Sequence, residues 1–294
     1  MTRPIRLFIF GMGYTARAFG RAMAEVEWMG GTTRTAERAL CLAERDFRAR
    51  VFDGATVDPA IADDLREATH VVVSIPPGEA DPVLARFAAD LAAAPRLQWL
   101  AYLSTVGVYG NYGGAWVSET TTPHPQQPRS VARRKAEREW AKLAAERSTP
   151  LATFRIAGIY GPGRNAFVNL AEGKAHRIVK PGQVFNRIHV DDIVATMVAA
   201  LERSARGIFN IADDEPAPPQ DVVTYAANLM GVAPPSEVPF DKAELSPMAR
   251  TFYADNKRVR NRRIKEELGV ALKYPTYREG LAALWRQGTW RGER

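Results

Sequence analysis

The chain has 294 residues, 46% hydrophobic and 25% charged, with 40 Lys+Arg against 33 Asp+Glu for a formal net charge of +7. That balance is ordinary for a globular protein of one large or two modest domains, and it suits an anionic small ligand. No apolar run reaches bilayer length, no basic-then-apolar leader is read, and the lone Cys41 excludes an internal disulfide. The expectation is a cytoplasmic monomer or homodimer with no membrane contact, Cys41 being an inert buried thiol inside a helix over 37–45. The densest basic run, 257–265, lacks interleaved aromatics and reads as the wet face of a helix, so nucleic acid is not the expected partner.

The apolar stretch 5–10 reads as a strand, and Gly11-Met12-Gly13-Tyr14-Thr15-Ala16 follows it before an Ala-rich helix. This is the G-x-G-x-x-A grammar of a dinucleotide site. The first glycine permits the turn, the second leaves room for a diphosphate, and the small Ala16 lets helix and strand approach. Backbone amides across 11–16 would face the phosphates. A second strand over 28–33 ends where a ribose-reading acid is expected, roughly 20 residues past the glycines. The chain offers Thr32, Thr33 and Arg34 there, with Arg38 one turn on. A guanidinium forks onto a 2′-phosphate and the hydroxyls add hydrogen bonds, so NADP is expected over NAD.

A third strand over 49–52 ends in Asp53, which could accept from an adenine amino group or simply hold a turn. The β-branched run 69–75 reads as a strand buried on both faces. Ile75, Pro76 and Pro77 end it where a cofactor should cross the strand ends. A helix over 81–94 and a fifth strand over 97–103 complete a doubly wound α/β pattern.

The fifth strand runs into Ser104 and Thr105, then Val108-Tyr109-Gly110. From here the chain resembles the extended short-chain dehydrogenase/reductase superfamily, the NAD-dependent epimerase/dehydratase group. Matching segments recur in order at 119–125, 155–163, 186–193, 207–211, 256–269 and 274–281. The resemblance implies a Rossmann domain over 1–161 and 184–213. It implies a smaller, mostly helical substrate lobe over 162–183 and 214–294, with ligand in a cleft at the strand ends.

It further implies hydride exchange with a carbon–oxygen centre, a catalytic hydroxyl at Thr105 holding the substrate oxygen with Ser104 beside it near the cofactor, and a lysine at Lys135 contacting the cofactor ribose. Lys135 reads equally well as a solvated helix lysine. Four residues before it, where the family's proton-moving Tyr is expected, stands Val131; the other register pairs Ser130 with Arg134. Three readings stay open. Tyr109, Tyr112 or Tyr160 delivers the proton; water or the substrate does; or the protein binds dinucleotide without turnover, as a redox sensor or interaction module. Tyr109, Tyr160, Arg164, Asn165 and Arg187 are the substrate-side candidates, the two arginines for an anionic group. His70, His124, His176 and His189 show no metal-ligand spacing, and Asp191 and Asp192 suit helix capping. An atypical family member acting on a small carbonyl or sugar-type metabolite is the expected function.

Overall fold

The computed structural model describes residues 4–23, 25–43 and 47–292. The elements β1 (Arg6–Phe10), α1 (Tyr14–Ala22), β2 (Trp28–Thr33), α2 (Ala36–Ala43), β3 (Arg48–Val51), α3 (Ala60–Glu67), β4 (His70–Val73), α4 (Pro82–Ala93) and β5 (Trp99–Thr105) alternate. Next come β6 (Trp116–Val117), α5 (Pro128–Glu146), β7 (Leu151–Ile156), β8 (Gly158–Tyr160), α6 (Ala166–Ala171), β9 (Arg177–Val179), β10 (Arg187–His189), α7 (Val190–Glu202) and β11 (Gly207–Ile211). The remainder holds α8 (Pro219–Met230), β12 (Glu237–Pro239), α9 (Pro247–Ala254), β13 (Arg258–Val259), α10 (Arg262–Glu266) and α11 (Tyr277–Arg286).

The chain divides into two compact units, one of 1–105, 128–155 and 194–209, the other of 106–127, 156–193 and 210–294. These boundaries differ from the expected lobes. Segments 106–127, 156–161, 184–193 and 210–213 go with the second unit.

A seven-stranded sheet in the order β11-β7-β5-β4-β1-β2-β3 organises the first unit. β1 pairs in parallel with β2 on one side and β4 on the other, so the sheet is doubly wound and reverses direction at β1/β4. The β4 run His-Val-Val-Val is buried throughout, as a strand covered by helices on both faces requires. Phe8, Phe10, Phe52 and Phe87 pack edge-on or tilted beneath the sheet, with Phe8 and Phe10 centroids 5.0 Å apart. Asp81 caps α4 through the amides of Val83 and Leu84, and its second oxygen accepts Trp140 Nε1 of α5 at 3.0 Å. That shared carboxylate fixes the two helices to each other.

Two expectations are corrected here. The helix α2 ends at Ala43, with 44–46 outside the described residues, and Cys41 is exposed rather than buried. The helix packs mainly against the outer strands β2 and β3, and none of its residues is buried. The basic run is not one wet helix face. Lys257 is buried with Nζ on the carbonyl of Gly110 at 2.7 Å, Arg258 and Val259 form β13, and only 262–266 are helical.

In the second unit three short parallel pairs, β8/β10, β9/β12 and β6/β13, sit with helices α6, α8 and α11. Tyr160, Phe167, Val222, Tyr277, Leu281 and Leu284 form its main core. Among the described residues no helix is long and apolar enough to cross a membrane.

Candidate functional site

The turn after β1 is built by contact rather than by sequence freedom alone. Gly11 has φ +89°, a left-handed value that favours glycine, and a Cβ there would lie 2.7 Å from Ile75 Cγ1. A Cβ on Gly13 would meet nothing within 4 Å, so that position faces open space. Ala16 is fully buried against the sheet. Gly13 caps α1 without a side-chain bond, and no acidic residue stands in the first turn, so the positive end of the helix is left uncompensated. A diphosphate fits this opening, and Met12 and Tyr14 flank it half-buried.

Thr32 is fully buried, and its hydroxyl accepts the Gly11 amide at 2.9 Å while its carbonyl accepts the Met12 amide at 2.8 Å. Fully buried, Thr32 presents no surface to a 2′-phosphate, contrary to expectation. Thr33 is buried beside it, whereas Arg34 and Arg38 are both exposed past the strand end. Asp53 uses one carboxylate oxygen on the amides of Ala55 and Thr56, at 2.9 and 2.7 Å, which holds its pKa below the usual range. That is the turn role. Ile75 and Pro77 are half-buried at the end of β4, Pro76 exposed, and Ser74 still donates to the Phe10 carbonyl at 2.9 Å.

At the end of β5 the structure reveals a partner that sequence reasoning missed. Ser104 is buried and donates to Glu137 of α5 at 2.6 Å. Glu137 also takes Arg155 in a two-pronged pair, at 3.0 and 2.8 Å, and Arg134 at 2.9 Å. Ser104 is thus turned into the protein, not toward a cofactor; Thr105 beside it is half-buried. On the same helix Val131 is 47% exposed, and Lys135 has its side chain 59% exposed, 3.8 Å from Glu139. No local pattern announces Glu137, since it reads as one of three acids in a charged helix.

In the second unit Tyr109 is fully buried and donates to Asn210 at 2.8 Å, so the proton of this phenol, expected to serve catalysis, is engaged inside the protein. Tyr112, which is only half-buried, gives its hydroxyl to the Thr122 carbonyl at 2.5 Å. Tyr160, Arg164 and Asn165 do come together, lining an open pocket of about 360 Å³ with Ile159 and Val168. Asn165 is nonetheless fully employed. Its carbonyl caps α6 on the amides of Phe167 and Val168, and its NH₂ donates to Gly161 and Trp290 carbonyls. That amide is satisfied within the protein, so Asn165 lines the pocket without a free NH₂ hydrogen for a substrate. Tyr160 is buried, its pKa raised chiefly by burial, with its hydroxyl 3.4 Å from the Thr276 carbonyl.

Arg187 is not offered to an outside anion. Its Nη1 donates to the carbonyls of Phe185 and Ala217 at 3.0 and 3.1 Å, and burial lowers its pKa. Nearby Asp213 is 1% exposed, and burial, only partly offset by the Arg187 guanidinium and the Glu215 amide, pushes its pKa up to about 8. Asp192, in the first turn of α7, accepts the amides of Lys273 and Tyr274. Among the described residues no group of three His, Cys, Asp or Glu is placed to hold a metal ion.

Residues 84–212 match the family model described as the NAD dependent epimerase/dehydratase family. A functionally unknown conserved protein from Silicibacter pomeroyi DSS is 47% identical, over 96% of this chain and 98% of its own, with a TM-score of 0.86. A dTDP-glucose 4,6-dehydratase from Bacillus anthracis, solved in complex with NAD, has a TM-score of 0.76 over 97% of this chain and 96% of its own. At 16% identity it shows a shared fold alone. A 3-diazoavenalumate denitrifying reductase from Streptomyces sp is 28% identical over 158 residues, 50% of this chain and 51% of that protein. The chain thus spans about half the length of that curated relative.

Proposed function

Because the chain belongs to the NAD-dependent epimerase/dehydratase family, we propose that it is an NADP-preferring, atypical member acting on a small carbonyl or sugar-type metabolite. The observation carrying the cofactor choice is the end of β2, where Arg34 and Arg38 stand exposed and the strand-end residues Thr32, Thr33 and Arg34 include no carboxylate. When bound, the dinucleotide supplies or accepts a hydride. The chain's own part is to hold the diphosphate at the start of α1, to hold a substrate oxygen through Thr105, and to hold ribose hydroxyls through Lys135. The relative named as a reductase supports reduction as the reaction class.

Proton delivery is where this member departs from its family. Val131 stands at the phenol's position and has no titratable hydrogen. Tyr109 and Tyr160 are buried, Tyr112 donates to the Thr122 carbonyl, and Ser104 beside Thr105 donates to Glu137. The proton then comes from water or from the substrate. The same observation favours a second reading, a dinucleotide sensor without turnover. The two part on one assay: NADPH oxidation with a carbonyl and sugar library supports the enzyme, and binding with no oxidation supports the sensor.

Arg34→Ala tests the cofactor assignment by calorimetry. Loss of a charge-assisted phosphate contact should weaken NADP about tenfold or more and leave NAD nearly unchanged. Equal weakening of both would remove Arg34 from the 2′-phosphate.

A further inference from the structure

We infer that Thr32 is a positioning residue for the diphosphate turn, fixing Gly11 and Met12 so that phosphate oxygens meet the first-turn amides of α1 instead. The inference rests on the dinucleotide reading above and deepens it.

Three consecutive amides of the turn are already used inside the protein. The Gly11 amide goes to Thr32 Oγ1 at 2.9 Å, the Met12 amide to the Thr32 carbonyl at 2.8 Å, and the Gly13 amide to the Gly11 carbonyl at 2.8 Å. The first amide claimed by the helix ladder is that of Arg17, on the Gly13 carbonyl at 2.9 Å. Amides before it, those of Thr15 and Ala16 among them, precede the ladder and point toward the helix start. The cradle therefore begins after Gly13, later than the span 11–16 read from the sequence.

One residue of the neighbouring strand supplies both acceptors. Gly11 at φ +89° belongs to a loop with two glycines, which would sample many conformations in isolation. Two bonds from a fully buried strand residue remove that freedom before ligand arrives, so the ordering cost is not charged to binding. Threonine is suited to the task because its branched body fills a strand position while its hydroxyl faces the turn. Valine has nearly the same shape and lacks the acceptor.

The test is calorimetry of the full chain with three probes: NADP, NAD and adenosine 2′-monophosphate. The last carries the 2′-phosphate and no diphosphate. For Thr32→Val the expected result is a loss of roughly three- to tenfold for both dinucleotides, by the same factor, with the monophosphate unchanged. Thr32→Ser should bind close to wild type. Equal loss for all three probes, or no loss for the dinucleotides, would overturn the inference. Should Thr32→Val not fold, amide resonances of the wild-type chain decide: on adding NADP, Thr15 and Ala16 should shift while Gly11 and Met12 stay protected from exchange. The opposite pattern rejects it. If the wild-type chain binds neither NADP nor NAD, the dinucleotide reading fails at that first titration and this inference goes with it.

Discussion

Glu137 concentrates more consequence than any other side chain of the first unit. It is buried and takes hydrogen bonds from Ser104, Arg134 and Arg155. Arg155 is 1% exposed. Two buried charges balance at small net gain, but removing one strands the other, at a cost of about 3–5 kcal/mol. Glu137→Gln should therefore lower unfolding free energy by about that amount in urea titration. Ser104→Ala, losing one hydrogen bond, should cost only about 1 kcal/mol. A Glu137→Gln midpoint equal to wild type would mean the pair contributes nothing. The hydroxyl at 104 is legible from its place at the end of β5, but its partner is not. The acid lies 33 positions away on a helix whose surface carries many charges, and nothing local marks one of them as buried.

Among the elements, β2 and the turn beside it show two kinds of glycine. A Cβ at Gly31 would lie 2.3 Å from the backbone oxygen of Ile9, its pairing partner in β1. No side-chain movement relieves a backbone clash, so Gly31→Ala should destabilise the sheet by at least ~2 kcal/mol. Gly13 has φ −81° and open space where a Cβ would go. Gly13→Ala should keep its melting temperature within about 2 °C yet weaken dinucleotide binding several-fold, because the methyl occupies room meant for ligand. Comparable thermal loss in both variants would contradict the distinction. The sequence reading found Gly11 and Gly13 by spacing and passed over Gly30 and Gly31, since close approach between strands leaves no motif. The same limit explains the basic run at 257–265. Its charges suggested a single exposed face, whereas Lys257 is drawn inward by a carbonyl 147 positions earlier.

At the level of the whole molecule, buried titrating groups set the pH dependence of stability. Burial pushes His70 and His189 down to about 4, from an ordinary 6.5, and Asp213 up to about 8, from an ordinary 3.8. Between about 4 and 6.5 the unfolded chain binds protons at both histidines that the folded chain refuses, so these two groups make stability rise with pH. Between about 4 and 8 the folded chain holds a proton on Asp213 that the unfolded chain has released, so this group makes stability fall, opposing the histidines below 6.5 and unopposed by them above it. Asp213→Asn fixes the neutral form. Urea titrations at pH 6.5 and 8 should show a decline in wild type that the variant lacks. Parallel profiles would exclude Asp213 as its source. The overall α/β alternation was legible because each parallel strand and crossover helix carries its own periodicity. The division into units was not, because the second unit is assembled through pairs of two- and three-residue strands too short for any pattern to register.

The strand order also has a consequence during synthesis on the ribosome. Five neighbouring strands of the sheet, β5-β4-β1-β2-β3, emerge within the first 105 residues, but β7 arrives at 151 and β11 only at 207. Until then the outer flank of β5 presents bare peptide groups, a template for another nascent chain. A fragment stopped near residue 149 should accumulate in inclusion bodies or on chaperones, while one reaching 211 has the strands needed to shield that flank.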